Sequence, residues 1–96
     1  MKRIVFDFKK IKNKKDFYSE LAEKVQLPEY FGNNLDALWD IITSEDIDLP
    51  VEVVFINFDT KKNSFFLSLE KLFKDAEKET NKKIVFKFYS RGEING

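Results

Sequence analysis

The chain contains no cysteine and no histidine. Without cysteine there is no disulfide scaffold, no thiolate metal site and no thiol nucleophile. Without histidine the commonest general base near neutral pH is missing, and so is the commonest metal ligand. Glycine is scarce: Gly32, Gly92 and Gly96 are the whole supply. No phosphate-cradling glycine loop and no G-x-S-x-G elbow can be built from them. No stretch approaches the ~20 apolar residues of a membrane span, and the start lacks a signal peptide's apolar run and cleavage site. These absences, with the leading Met1, point to a soluble cytoplasmic protein with no cofactor, no metal and no catalytic residues.

What is present suffices for a core. The chain has 96 residues, enough for one small domain, and 43% are hydrophobic, with 11 phenylalanines. Net charge is zero, but the zero is a sum of two unlike parts. Residues 25–60 hold eight acids (Glu29, Asp36, Asp40, Glu45, Asp46, Asp48, Glu52 and Asp59) and no Lys or Arg. All 17 bases lie outside that block. A division of this kind speaks to partners more than to fold. The alternative, that folding intermixes these charges in space, stays open.

Periodicity predicts six elements. Ile4–Phe8 reads as a strand. Asn13 can cap a helix with Asp16 in its first turn and with Phe17, Tyr18, Leu21, Ala22 and Val25 at helical spacing. Pro28 is expected to stop it, and Gly32 to give the backbone room to turn. Asn33 or Asn34 then caps a second helix, LDALWDIIT, with Leu35, Leu38 and Ile42 on one face and Asp36, Asp40 and Thr43 on another; Trp39 lies on the border. VEVVFINF and KIVFKFY read as strands. Between them Asn63 or Ser64 caps a third helix, with Phe65, Leu69, Leu72, Phe73 and Ala76 as its buried stripe. Helices between strands imply a small parallel sheet of three strands, an α/β fold. The apolar runs Val53–Ile56 and Ile84–Phe86 suit strands buried on both faces.

Asp36 and Asp40 are the anomaly. Like charges at i and i+4 of a helix repel by a few tenths of a kcal/mol, and no cation is near them in sequence. Three readings compete. The pair could be an ordinary solvated face. With Glu29 or Asp75 it could hold Mg²⁺, making a carboxylate-metal hydrolase. Or, with Tyr30, Phe31 and Trp39 beside it, it could be a protein-binding surface, because aromatic anchors ringed by charge are a familiar interface composition. Nucleic acid is disfavoured, because the acidic block would repel phosphates.

The run LPEYFGNNLDALWD, Leu27–Asp40, closely resembles the signature of the barstar family, intracellular inhibitors of the secreted ribonuclease barnase. The order of elements agrees over residues 1–90, which leaves 91–96 as a polar tail. The resemblance implies a parallel sheet of three strands covered by helices. It implies further that the second helix and the loop before it plug the active site of a secreted, basic, barnase-like ribonuclease. By the resemblance, Tyr30, Gly32, Asn34, Leu35, Asp36, Trp39 and Asp40 are contact residues, with Thr43 at the end of the helix. Leu72, Asp75 and Glu79 join them from the third helix, and Asp40 stands in for an RNA phosphate. A monomeric free protein, with no nucleic-acid or membrane partner, is expected. A module of the same fold for a different basic partner is the alternative. The chain departs from the family pattern at Phe31, Asn33 and Ile41, in the acidic stretch SEDID, at Asn81–Lys82, and in running on to Gly96.

Overall fold

The computed structural model describes residues 1–44 and 50–90. Along the chain lie β1 (Lys2–Asp7), α1 (Lys14–Lys24), α2 (Leu35–Thr43), β2 (Val51–Ile56), α3 (Ser64–Glu79) and β3 (Ile84–Phe88). The strands form one parallel sheet in the order β1-β2-β3, in a register that aligns Ile4, Val53 and Phe86. The α/β architecture expected from the sequence is therefore the one observed. The stretch Glu45–Leu49, with its three acids, and the tail 91–96 lie outside the described residues.

Each helix begins at an asparagine with extended backbone. Asn13 Oδ1 accepts from the Asp16 N–H, Asn34 Oδ1 from Ala37 and Asn63 Oδ1 from Phe65. Each satisfies a donor that the first helical turn leaves without a partner. Asn34, not Asn33, caps α2. Asn33 instead takes the left-handed conformation, φ 51°, which asparagine tolerates better than most residues. The turn expected at Gly32 is thus made one residue later. What Gly32 provides is space: a Cβ there would come 2.9 Å from Asn34 Nδ2 and press on the cap.

The order β1-β2-β3 advances in one direction. Right-handed crossovers then deliver every helix to the same face of the sheet, and the core confirms it. Ile4, Phe6, Val51, Val53, Phe55, Ile84 and Phe86 pack in one cluster with Phe17 and Leu21 of α1, Leu38 and Ile42 of α2, and Phe66, Leu69 and Phe73 of α3. Phe55 is its hub, fully buried, with its ring 4.8–6.2 Å from those of Phe6, Phe8, Phe17, Phe58, Phe73 and Phe86. The opposite face carries Arg3, Val5, Asp7, Glu52, Val54, Val85 and Lys87, none of which joins the cluster. The expectation of strands covered by helices on both faces is therefore corrected. Val54 is buried, but Val5 is 37% exposed. On this face Glu52 ties the three strands together, accepting from Arg3 at 2.6 Å and pairing with Lys87 at 3.0 Å.

Three further expectations shift. α1 stops at Lys24, with Val25 as an extended cap, three residues before Pro28. Ala22 is exposed. Phe66 takes the fully buried place on α3, and Phe65 packs against the core half-buried. Phe66, Leu69, Phe73 and Ala76 follow the i, i+3, i+7, i+10 spacing of a core stripe.

Tyr18 is an exception to the apolar core. It is buried between Phe17, Phe31 and Phe65, and its hydroxyl has no hydrogen-bond partner among the described residues. Burial pushes its pKa up to about 12, because the phenolate would lose its hydration. The folded value lies above the unfolded one. The group therefore costs nothing extra below about pH 10, and stability declines as pH rises toward 12. Tyr18→Phe is expected to raise stability at neutral pH by about 1 kcal/mol, the scale of an unpaired buried hydroxyl, and to flatten that alkaline decline. Denaturant melts at neutral and alkaline pH measure both. A variant less stable than the parent at neutral pH would mean that the hydroxyl has a partner.

Candidate functional site

Helix α2 is short, and its sides are sharply divided. Leu38, Ile41 and Ile42 are buried, Leu35, Trp39 and Thr43 half-buried, and Asp36 and Asp40 exposed. Leu35 and Trp39 pack against the core, so the tryptophan stands on its border, with part of its surface open. Thr43 spends its hydroxyl hydrogen on the Trp39 carbonyl at 2.6 Å, which leaves its oxygen free to accept. Asn34 is committed to the cap, and its Nδ2 also donates to the Gly32 carbonyl at 3.3 Å. These two residues shape the site more than they present polar groups to it.

Tyr30 is 84% exposed, the most exposed large hydrophobic side chain among the described residues. Its neighbour Phe31 turns inward, packs against the core and lies 6.0 Å from the Tyr18 ring. Between this loop and the later half of α2 runs a groove of about 480 Å³, floored by Phe31, Ala37 and Ile41 and rimmed by Tyr30, Asp40 and Thr43. Ala37 and Ile41 were missed as part of the site from sequence. The signal lay in their spacing of four, which puts both on the flank of α2 beside Asp40.

Helix α3 packs against α2. On it Leu72, Asp75 and Glu79, spaced i, i+3, i+7, form one stripe: Leu72 half-buried against the core, the two acids exposed. Lys71 and Lys78 are their neighbours in sequence, so the α3 acids sit in a more mixed field than those of α2.

The acidic block of the sequence is only partly a surface. Glu52 is on the open sheet face, its pKa held low by hydrogen bonds from Arg3 and Lys87. Asp59 folds back to accept from the Lys61 N–H at 2.9 Å in the loop before α3. Asp36 and Asp40 have neither fate. Among the described residues, neither carboxylate enters an ion pair or a side-chain hydrogen bond. Nor is there, among those residues, a group of three or more acids that could hold a metal ion.

The two acids are not equivalent. Asp36 is in the first turn, where the helix dipole favours an anion. Asp40 is in the last turn, where the dipole opposes one, and no basic residue sits there to offset it. Repulsion from Asp36 adds to this. Both of these local contributions at Asp40 are unfavourable, and no partner among the described residues offsets them.

Residues 1–91 match the family described as Barstar (barnase inhibitor). The chain belongs to the barstar family. Over 59 residues it is 39% identical to the Bacillus subtilis (strain 168) protein named "Putative ribonuclease inhibitor YrdF", a stretch covering 62% of this chain. The match spans 64% of that relative's length, less than two thirds of it.

Asp40→Asn is expected to stabilise the free protein by about 0.5 kcal/mol, from relief of dipole opposition and repulsion together. Asp36→Asn should change little, because the repulsion it removes is offset by a lost first-turn anion. Urea melts of the three proteins test this. Destabilisation by Asp40→Asn would reveal a structural task for that carboxylate.

Proposed function

We infer that the chain inhibits a barnase-like ribonuclease by seating this surface in the enzyme's active site, acting inside the cell that makes both. An enzyme that binds RNA gathers cations around the phosphate positions. Asp40 would occupy such a position as a phosphate mimic, with Asp36 one turn away and with Asp75 and Glu79 from α3 widening the anionic surface. Tyr30 and Trp39 supply aromatic contact area. The groove beside Asp40 has an apolar floor and a carboxylate at its rim, which suits the stem and head of an arginine side chain. The single observation that carries this reading is Asp40: an exposed carboxylate, unpaired among the described residues and placed where its own helix disfavours it, in a chain of the barstar family. In the complex the enzyme's cations relieve what the free chain bears, and charge-assisted hydrogen bonds to arginine are short and directional. In this reading the protein has no catalytic role.

Inhibition titrations with a barnase-like ribonuclease test the reading. Asp40→Ala should weaken binding by about 2 kcal/mol, the scale of a hydrogen bond to a charged group, which is roughly 30-fold in the dissociation constant. The thermal melt should hold or improve. Equal affinity for variant and parent would end the phosphate-mimic account.

Association should also slow steeply with salt, as the Debye length shrinks from ~10 Å at 0.1 M to ~3 Å at 1 M. Stopped-flow rates across that range measure it, and a flat dependence would mean that the acids do not steer the encounter. If the chain bound a basic protein without nuclease activity and inhibited none of the ribonucleases tried, the module for a different basic partner would take its place.

A further inference from the structure

Helices α1 and α3 start at the same end of the sheet. There β1 and β2 finish side by side, Phe8 N–H donating to the Ile56 carbonyl and Asn57 Nδ2 to Asp7 Oδ1, each at 2.9 Å. The loops that follow lead into the two helices. Their first turns meet, with the Phe17 and Tyr18 rings 6.0 and 5.8 Å from that of Phe65. Both loops and the start of α1 therefore share one surface at the carboxyl ends of the strands.

This surface is basic. Residues 7–16 and 57–63 hold seven lysines against three acids. Lys9, Lys10 and Lys12 of the first loop and Lys61 and Lys62 of the second are exposed, as are Lys14 and Lys15. Among the described residues, none of their ammonium groups enters an ion pair or a side-chain hydrogen bond. The three acids are turned to the backbone instead. Asp7, Asp16 and Asp59 accept from the N–H groups of Lys9, Lys12 and Lys61, each at 2.9 Å. They fix the course of the loops and leave the ammonium groups to solvent. Lys14 and Lys15 open α1, where the helix dipole opposes a cation. A bound polyanion would relieve that opposition and the mutual repulsion of the lysines.

Beside Lys14 and Lys15 lies a groove of about 680 Å³, between α1 and the loop before α2. Tyr18 and Ala22 contribute apolar wall, and Asn13, Ser19 and Asn33 contribute polar groups. The Asn33 side-chain amide makes no hydrogen bond among the described residues, and an amide can both donate to and accept from the edge of a base. The volume is that of a small-molecule site.

We propose that this end of the molecule binds single-stranded nucleic acid, with phosphates along the lysine loops and one base in the groove. A single strand can splay a base into such a groove, whereas a duplex keeps its bases stacked inside. Attachment to a membrane would call for apolar side chains to insert. The large hydrophobic side chains exposed among the described residues, Met1, Val5, Tyr30, Leu67 and Phe88, belong to other segments. The acidic block of the sequence does not confront the lysines as a body: Glu52 is paired on the open sheet face, and Asp59 is bound to the Lys61 N–H. This departs from the absence of a nucleic-acid partner expected from sequence. It stands apart from ribonuclease inhibition, and its test uses no enzyme.

Fluorescence anisotropy of a labelled short oligouridylate, and of the matching oligothymidylate, titrated with the full chain from about 50 to 200 mM salt tests the proposal. Binding to at least one is expected, weakening with salt by about 0.7 in the log–log slope for each lysine engaged; the ratio of the two affinities tells RNA from DNA. Lys9→Gln with Lys62→Gln should weaken binding roughly tenfold and lower the slope by about 1.4. Asn33→Gly, which accepts the left-handed backbone and removes the amide, should weaken binding roughly fivefold and leave the slope unchanged. Lys2→Gln with Lys82→Gln removes the same charge at the opposite end of the strands and should change affinity less than about twofold. Circular dichroism checks that each variant keeps its fold. No binding at the lowest salt with several hundred micromolar chain would overturn the proposal. So would equal losses from the two lysine pairs, because the attraction would then be general. Tighter binding of duplex than of single strand, or capture by anionic phospholipid vesicles without binding to either oligonucleotide, would overturn it too.

Discussion

All three helices must lie on one face of the sheet. The strand order advances in one direction, parallel strands need crossovers, and the crossovers share a hand. Much of the rest of the structure follows from this constraint. The core forms on the covered face, where Phe55 of the central strand meets aromatic rings from both neighbouring strands and from the helix layer. The other face depends on β-branched side chains and on the bridge from Glu52 to Arg3 and Lys87. With α1 and α3 already spanning three strands, α2 is a supernumerary element in the same layer. It buries Leu38 and Ile42 in the core and rests against α3. Asp36 and Asp40 stand exposed on its other side.

This placement explains how a small protein can carry an unfavourable group cheaply. An anion in the last turn of a helix, one turn from a second anion, costs a fraction of a kcal/mol when exposed. Buried without a partner, the same carboxylate would cost several kcal/mol. The cap supports the arrangement from the other end. Asn34 fixes the start of α2, Gly32 leaves room for that side chain, and Asn33 absorbs the backbone reversal. The loop can therefore hold Tyr30 out in solvent beside the helix while Phe31 anchors it inward.

The fold was largely legible in the sequence because the elements obey simple periods. The cap of α1 at Asn13, the buried positions Leu69, Phe73 and Ala76 on α3 and the dense apolar strands read correctly. What failed had physical causes. A single-faced sheet looked two-faced, because β-branched residues such as Val54 and Val85 suit a strand whether or not a helix covers it. Phe65 and Phe66 are adjacent phenylalanines, and only packing decides which enters the core. The turn was assigned to glycine, although asparagine can take the left-handed conformation and did. At the site, the shared face of Asp36 and Asp40 and the border position of Trp39 were legible from the helix pattern; the exposure of Tyr30, in the loop before α2, was not. The groove was not, because it depends on how the Tyr30 loop lies against α2. The acidic block also read as more uniform than it is, since Glu52 and Asp59 are turned to tasks within the chain by partners distant or unremarkable in sequence.

The central claim is that one surface, built from the Tyr30 loop, α2 and the α3 stripe, meets a cationic ribonuclease site. Hydrogen exchange of the chain alone, and then saturated with a barnase-like ribonuclease, tests it most directly. The account predicts slowed exchange across residues 30–43 and 72–79 in the complex, with β1 unchanged. Protection concentrated on the open sheet face or on β1, with α2 exchanging as it does in the free chain, would contradict it.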